Sequence, residues 1–316
     1  MKKLLKYLIR VIGVVFLVVL GYGVLNYKSA IPLETLKKKY APAPSQFMDL
    51  DGMQVHYRDE GNQQDSMPIV LIHGTSSSLH TWQGWVDALK GERRVIRFDL
   101  PGFGLTGPNG NGDYSLRSYS KFTNDVLEKL HVGQCVVAGN SLGGEVAWHF
   151  AMDYPGKVSR LILVDAAGYP MVSKSTPLAF TIARTPILNN FVKYVTPRNL
   201  VERGILDVYG DKSKVTPELV DRYYELALRD GNRQALVDRL VGSKKDSDYL
   251  KMGSLSVRTL VLWGAEDMLI PESQGERFHS DLPNDTLVVM KGLGHVPMEE
   301  DAEATVMVVK SFLGAH

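Results

Sequence analysis

Six short apolar runs recur along this chain, and a stretch of helical spacing separates each from the next: "PIVLIHG", "RRVIRFDLPG", "QCVVAGNS", "VSRLILVDAAG", "VRTLVLWGAED" and "DTLVVMKGLGH". A strand that is apolar throughout needs cover on both faces, which is the situation of a parallel sheet packed between helices. Strands alternating with helices give βαβ units and place helices over each side of the sheet. The expected class is therefore α/β, a mainly parallel sheet flanked by helices. Ahead of the first run, "FMDLDGMQVHYRDEG" alternates apolar and polar residues around Asp51-Gly52, the signature of a β-hairpin.

One interval breaks the rhythm. Residues 169–253 carry no convincing strand, only helical patterns such as "LVDRYYELALRD" and "RQALVDRL". Some 85 residues between two strands of one sheet make a helical cap, or lid, rather than a loop. The expected division is a core of residues 46–168 and 254–316, with 169–253 as the cap. Residues 28–45, ending in "APAPS", form a linker in which "PLETLKKKY" suits a short amphipathic helix.

The first 27 residues differ from the rest. Lys2, Lys3, Lys6 and Arg10 precede fifteen uncharged, mostly apolar residues, Val11 to Leu25. Fifteen helical residues cover only about 22 Å of a hydrocarbon slab of roughly 30 Å. Counted from Leu4 the stretch is 22 residues, with Lys6 and Arg10 snorkelling and Tyr7, Tyr22 and Tyr27 as interfacial aromatics. A cleaved signal sequence is the competing reading, but no Ala-x-Ala site follows the apolar run. A retained single-pass anchor is expected, with the lipid bilayer as partner. The amino-terminal cations then set the location, an inner (cytoplasmic) membrane with the catalytic body on its periplasmic or extracellular side.

Two bulk properties exclude other classes. A net charge of +1 gives no general electrostatic case for nucleic acid. The single cysteine, Cys135, rules out an internal disulfide and any cysteine-based zinc cluster. "GFGLTG", Gly102 to Gly107, spells a dinucleotide fingerprint after a strand, but "PNGNGDYS" follows it where a helix would be needed. No cofactor and no metal is expected.

The chemistry is carried by "VVAGNSLGGEV". Gly139-x-Ser141-x-Gly143 is the pattern of a nucleophile elbow, a sharp strand-to-helix turn that projects the serine from a strained backbone while small neighbours avoid clashes. The helix that follows aims its first N–H groups at the site and favours negative charge there. A hydroxyl needs an adjacent base, and the base needs an acid to orient it, in the chain order Ser, Asp or Glu, His. His295 in "GLGHVP" closes the last strand, whereas His56, His131, His149, His279 and the terminal His316 suit ordinary packing or surface positions. Asp267, at the end of "LVLWGAED", is the favoured acid; Asp165, at the end of "LILVDAAG", is the alternative, and Glu266 is aimed elsewhere. The oxyanion hole is expected to use the N–H groups of Leu142 and of Thr75 in "IHGTSSS", with Ser76 behind and His73 shaping the loop.

Taken together, "LIHGTSSS", "FDLPGFG", "GNSLGG", "LVLWGAED" and "GLGHVP" resemble the α/β-hydrolase family in order and separation, over about residues 46–316. The resemblance implies Ser141, Asp267 and His295 as a catalytic triad that transfers an acyl group to water, with the cap shaping the substrate pocket. A serine nucleophile contradicts the dehalogenase and epoxide-hydrolase branches, which use aspartate. In the cap, Leu178, Phe180, Ile182, Ile187, Leu188, Phe191, Val192 and Val195 read either as a tunnel for an acyl chain or as packing between cap and core. With an anchor, the tunnel points to a lipid-like ester and to the lipase and phospholipase A members of the family. Thioesterases, lactonases and C–C bond hydrolases share the same parts, and a non-hydrolytic receptor or an anchored scaffold uses the same fold.

Overall fold

The computed structural model describes residues 2–171, 173–186, 188–242 and 247–314, with the side chains of several residues in the first helix, Tyr22 among them, outside the description. Ile187 and His316 also lie outside the described residues. In chain order the strands are β1 (Gln46–Leu50), β2 (Met53–Gly61), β3 (Ile69–Ile72), β4 (Arg94–Phe98), β5 (Cys135–Asn140), β6 (Val158–Val164), β7 (Thr259–Gly264) and β8 (Asp285–Met290). The first helices are α1 (Lys2–Leu25), α2 (Leu33–Tyr40), α3 (Gln83–Leu89), α4 (Leu116–Lys129) and α5 (Leu142–Asp153). Between β6 and β7 lie α6 (Leu178–Arg184), α7 (Asn189–Val192), α8 (Arg198–Val208), α9 (Pro217–Ala227) and α10 (Asn232–Gly242). The last are α11 (Ser273–Asp281), α12 (Pro297–Glu300) and α13 (Ala302–Gly314).

One eight-stranded sheet runs in the order β1-β2-β4-β3-β5-β6-β7-β8. The hairpin read around Asp51-Gly52 pairs Leu50 with Met53, and both turn residues have positive φ, 52° and 80°, as a tight turn matched to the strand twist requires. β2 then meets β4 antiparallel, and every later pairing is parallel. β3, β5 and β7 are buried along their whole length, which is why their sequences are apolar without alternation. Successive residues still divide between the faces. Val70, Val137, Leu163 and Val261 belong to one core, and Leu71, Val136, Ile162 and Leu260 to the core on the opposite side.

Between β6 and β7 the regular elements are helical apart from isolated bridges at Val195 and Arg229, and Ala183, Val192, Val237 and Leu240 make a small core there. The segment read as a linker is docked rather than free. Leu36 and Tyr40 of α2 pack with Leu105 and with Leu226 of α9, and the Tyr40 hydroxyl donates to Glu225 at 2.9 Å. Ahead of α2, Ile31 N–H donates to the Leu228 carbonyl at 2.8 Å, and Tyr27 bridges Val195. The tail carries α12 and α13, which are separated at Asp301.

The amino-terminal expectation is overturned. Among the described residues, no helix is long and apolar enough to cross a membrane. A single-pass anchor, the bilayer as partner through it, and the placement of the catalytic body on the periplasmic or extracellular side of an inner membrane therefore fall. The physical reason lies in the four cations. They interrupt the first ten residues of the chain, and the uncharged remainder, Val11 to Leu25, is fifteen residues, about 22 Å of helix against a slab of roughly 30 Å.

Candidate active site

The elbow is built by close approach. β5 ends at Asn140 and α5 begins at Leu142, so Ser141 alone must turn the chain, and it does so at φ 56°, ψ −120°. A β-carbon on Gly139 would lie 2.0 Å from the Gly143 carbonyl oxygen, and one on Gly143 would lie 2.1 Å from that of Ile72. Only glycine fits at either place. The strained serine is held from both sides, its N–H donating to the Val164 carbonyl at 3.1 Å and its carbonyl accepting from Ala167 N–H at 3.0 Å.

β7 and β8 bring the other two side chains to the same rim. Asp267 follows β7 and is buried, with Oδ1 accepting from the N–H groups of Leu269 at 2.8 Å and Ile270 at 2.9 Å. Its Oδ2 lies 2.7 Å from His295 Nδ1, which leaves the Nε2 of that ring to face away from the acid. His295 and Ser141 line one cavity. Backbone bonds fix the histidine loop: His295 N–H donates to the Val208 carbonyl at 2.7 Å, and Asn140 Nδ2 donates to the His295 carbonyl at 2.9 Å and to that of Val164 at 3.1 Å.

Asp165 occupies the position of the alternative acid, at the end of β6 with φ 44°. Its Oδ1 accepts from Gly264 N–H at 2.9 Å, so Asp267 and not Asp165 holds the imidazole. Burial first, and then the neighbouring Asp267 carboxylate, raise the Asp165 carboxyl well above the ordinary value. Donor atoms of Asp165, Asp267 and His295 lie within 4.8 Å of one another, the one such grouping of metal-ligating types among the described residues. Its His295 nitrogen and Asp267 oxygen are engaged with each other.

The residues expected at the oxyanion hole sit beside the serine. Thr75 and Ser76 line the cavity with Ser141, and Ser76 has φ 61°. Leu142 opens α5, in the first turn where an N–H has no intrahelical acceptor. His73 is fully buried; its Nδ1 donates to the Gly74 carbonyl at 2.8 Å and its Nε2 accepts from Leu100 N–H at 2.9 Å. Burial holds its pKa below the usual histidine value, and its two bonds shape the loop. The "GFGLTG" stretch is a loop tied by Leu105 N–H to Asp99 at 2.7 Å, with no helix until α4.

Two positioning groups escaped the sequence reading. Asn140 is hidden inside the elbow motif itself. Glu300 is buried and accepts from Gly210 N–H at 3.1 Å, Asp211 N–H at 2.6 Å and Gly294 N–H at 2.9 Å, so it clamps the cap to the loop of His295. Its only signal was a second glutamate in "PMEE", which no local pattern separates from a solvated one.

The cavity measures about 420 Å³, within the usual range for a small-molecule site. Of the eight apolar cap residues singled out in the sequence, all but the undescribed Ile187 line it. They form a wall facing the serine, and Val192 also belongs to the cap's own core.

A family model described as alpha/beta hydrolase fold matches residues 67–302. The chain belongs to the α/β-hydrolase family. This hydrolase is 27% identical over 266 residues to the uncharacterized hydrolase YugF of Bacillus subtilis, covering 83% of this chain and 95% of that one. It is 29% identical over 278 residues to a 2-hydroxy-6-oxononadienedioate/2-hydroxy-6-oxononatrienedioate hydrolase of Burkholderia vietnamiensis, covering 83% and 91%. Among solved structures it is similar to a membrane phospholipase A, with a TM-score of 0.73 and 22% identity over 99% of this chain and 98% of that one. At that identity the likeness is one of fold.

Proposed function

We propose that this hydrolase cleaves carboxylic esters with lipid-like acyl groups through a Ser141 acyl-enzyme. The reading is carried by one observation: a histidine bonded at 2.7 Å to a buried aspartate shares an apolar cavity with a serine on a strained elbow. Asp267 fixes His295 with Nδ1 protonated, so Nε2 is the basic nitrogen. His295 takes the Ser141 proton as Oγ attacks the ester carbonyl, and the oxyanion is held by the N–H groups of Leu142 and Thr75. The same imidazole then protonates the leaving alcohol and activates the water that releases the acid. The apolar cap wall supports an acyl chain as the bound group, and the likeness in fold to a membrane phospholipase A agrees with it.

The test is hydrolysis of a graded series of p-nitrophenyl esters by wild type and Ser141→Ala, with fluorophosphonate labelling alongside. Turnover and labelling that both vanish in Ser141→Ala support the mechanism; a labelled but ester-inactive enzyme refutes the substrate class. C–C bond hydrolysis is the second reading, favoured by the Burkholderia relative, and 2-hydroxy-6-oxodienoates assayed side by side with the esters decide between them.

A further inference from the structure

The apolar wall of the cavity has an interruption. Arg233, in the first turn of α10, lines it with 9% of its surface exposed, and Nη1 has no hydrogen-bond partner among the described residues. Asn232, immediately before it, lines the same cavity. Its Nδ2 donates to the Gly104 carbonyl at 3.0 Å and to that of Leu226 at 2.8 Å, which leaves Oδ1 buried without a partner. The guanidinium of Arg97 is buried as well. It gives its donors to Glu60, Gln83 and the Leu79 carbonyl.

Buried polar atoms without partners are rare, because each forfeits its bonds to water. Here a cationic donor and a neutral acceptor, both buried and without partners, lie on adjacent residues that line one cavity. The groups acting electrostatically on Arg233 are Tyr27, Tyr224, Asp230 and Tyr194, and none of them bonds Nη1. The complementary ligand carries an oxyanion for the guanidinium and a hydroxyl for the carboxamide oxygen. Arginine, with its planar fork of donors, is suited to phosphate oxygens.

We propose that Arg233 and Asn232 form a headgroup subsite, and that the substrate is an acyl ester whose alcohol bears a phosphate next to a hydroxyl, the chemistry of an acylated glycerol phosphate. The proposal rests on the ester-hydrolase reading of Ser141 and narrows it. The acyl chain occupies the apolar part of the cavity, and the phosphate meets Nη1.

The experiment compares two substrates that differ only in the phosphate, 1-decanoylglycerol and 1-decanoylglycerol 3-phosphate, on wild type, Arg233→Met and Arg233→Lys. A hydrogen bond to a charged group corresponds to about 10–100-fold. The phosphate-to-neutral ratio of kcat/KM therefore falls by about that factor in Arg233→Met, mainly through KM, and recovers in part in Arg233→Lys. Equal losses on both substrates overturn the subsite and leave the ester chemistry intact. A binding arm runs independently of catalysis: decyl phosphate is titrated calorimetrically into Ser141→Ala with and without Arg233→Met. Weaker binding in the double variant supports the subsite even where neither ester is cleaved, in which case the ester reading alone fails. Undiminished binding overturns the subsite, as does displacement of decyl phosphate by inorganic phosphate at equal concentration, which would assign the site to the free anion.

Discussion

Asp165 and Asp267 end neighbouring parallel strands and stand beside one histidine, so substituting each by asparagine separates their roles. In Asp267→Asn the amide oxygen can keep the bonds from the Leu269 and Ile270 N–H groups, now at 2.8 and 2.9 Å, which turns the NH2 toward His295 Nδ1. That donor forces the other imidazole tautomer, and Nε2 then carries a proton where a base is needed. Losses of about 10⁴ in kcat follow from the wrong tautomer, about 5.4 kcal/mol of transition-state stabilisation. Burial favours the neutral form of Asp165, which asparagine mimics, and the amide oxygen can still accept from Gly264 N–H. The expected change in kcat for Asp165→Asn is under about threefold, less than roughly 1 kcal/mol.

The linkage of Asp165 adds a second readout. Its carboxyl has a raised pKa in the folded state, so above 3.8, its ordinary value, the folded chain holds a proton that the unfolded chain releases. Stability from that proton is full below this pH and declines as pH rises toward the folded value. Asp165→Asn removes the decline and is expected to match or exceed the wild-type Tm at pH 7–8. Chromogenic ester turnover and a thermal melt at several pH values measure both variants. The reasoning is refuted if Asp165→Asn loses as much activity as Asp267→Asn, or if Asp267→Asn keeps a tenth of wild-type turnover.

Three further outcomes are expected. Glu300→Ala strands the N–H groups of Gly210, Asp211 and Gly294, at about 1–3 kcal/mol for each left unpaired, so a drop in Tm and a parallel loss of kcat should appear in melts and turnover assays. Leu200→Trp fills part of the cavity and should lower the dodecanoate-to-acetate ratio of kcat/KM by more than about tenfold, since one methylene in an apolar pocket discriminates by 10–200-fold. Asp99 is fully buried; burial raises its pKa, but the bond and charge of His56 outweigh that and hold it below 3.8. Its stabilisation is complete above the ordinary carboxylate value and is lost as pH falls through the lower folded one, so Asp99→Asn should flatten the acid limb of a stability-against-pH curve.

Much of this was legible in the chain itself because it is local. Apolar runs without alternation identified the buried strands, Asp51-Gly52 identified the hairpin, and glycines flanking Ser141 identified a turn that tolerates no β-carbon. The order of Ser141, Asp267 and His295 along the sequence follows from which strand each one ends. Tertiary packing decided the rest. His295 reaches Asp267 across 28 positions and Asn140 across 155; the sequence favoured Asp267 and kept Asp165 as the alternative, and the sheet places the Asp267 carboxylate on the ring. The cap residues fitted a tunnel or a packing surface equally well, because hydrophobicity drives burial without choosing its partner. Glu300 and Arg233 read as ordinary charged residues on helices. Folding buries both of them, one with three donors to satisfy it and the other with an unpartnered Nη1 on a residue that lines the cavity. Periodicity is a property of neighbours in the chain, whereas a site depends on neighbours in space.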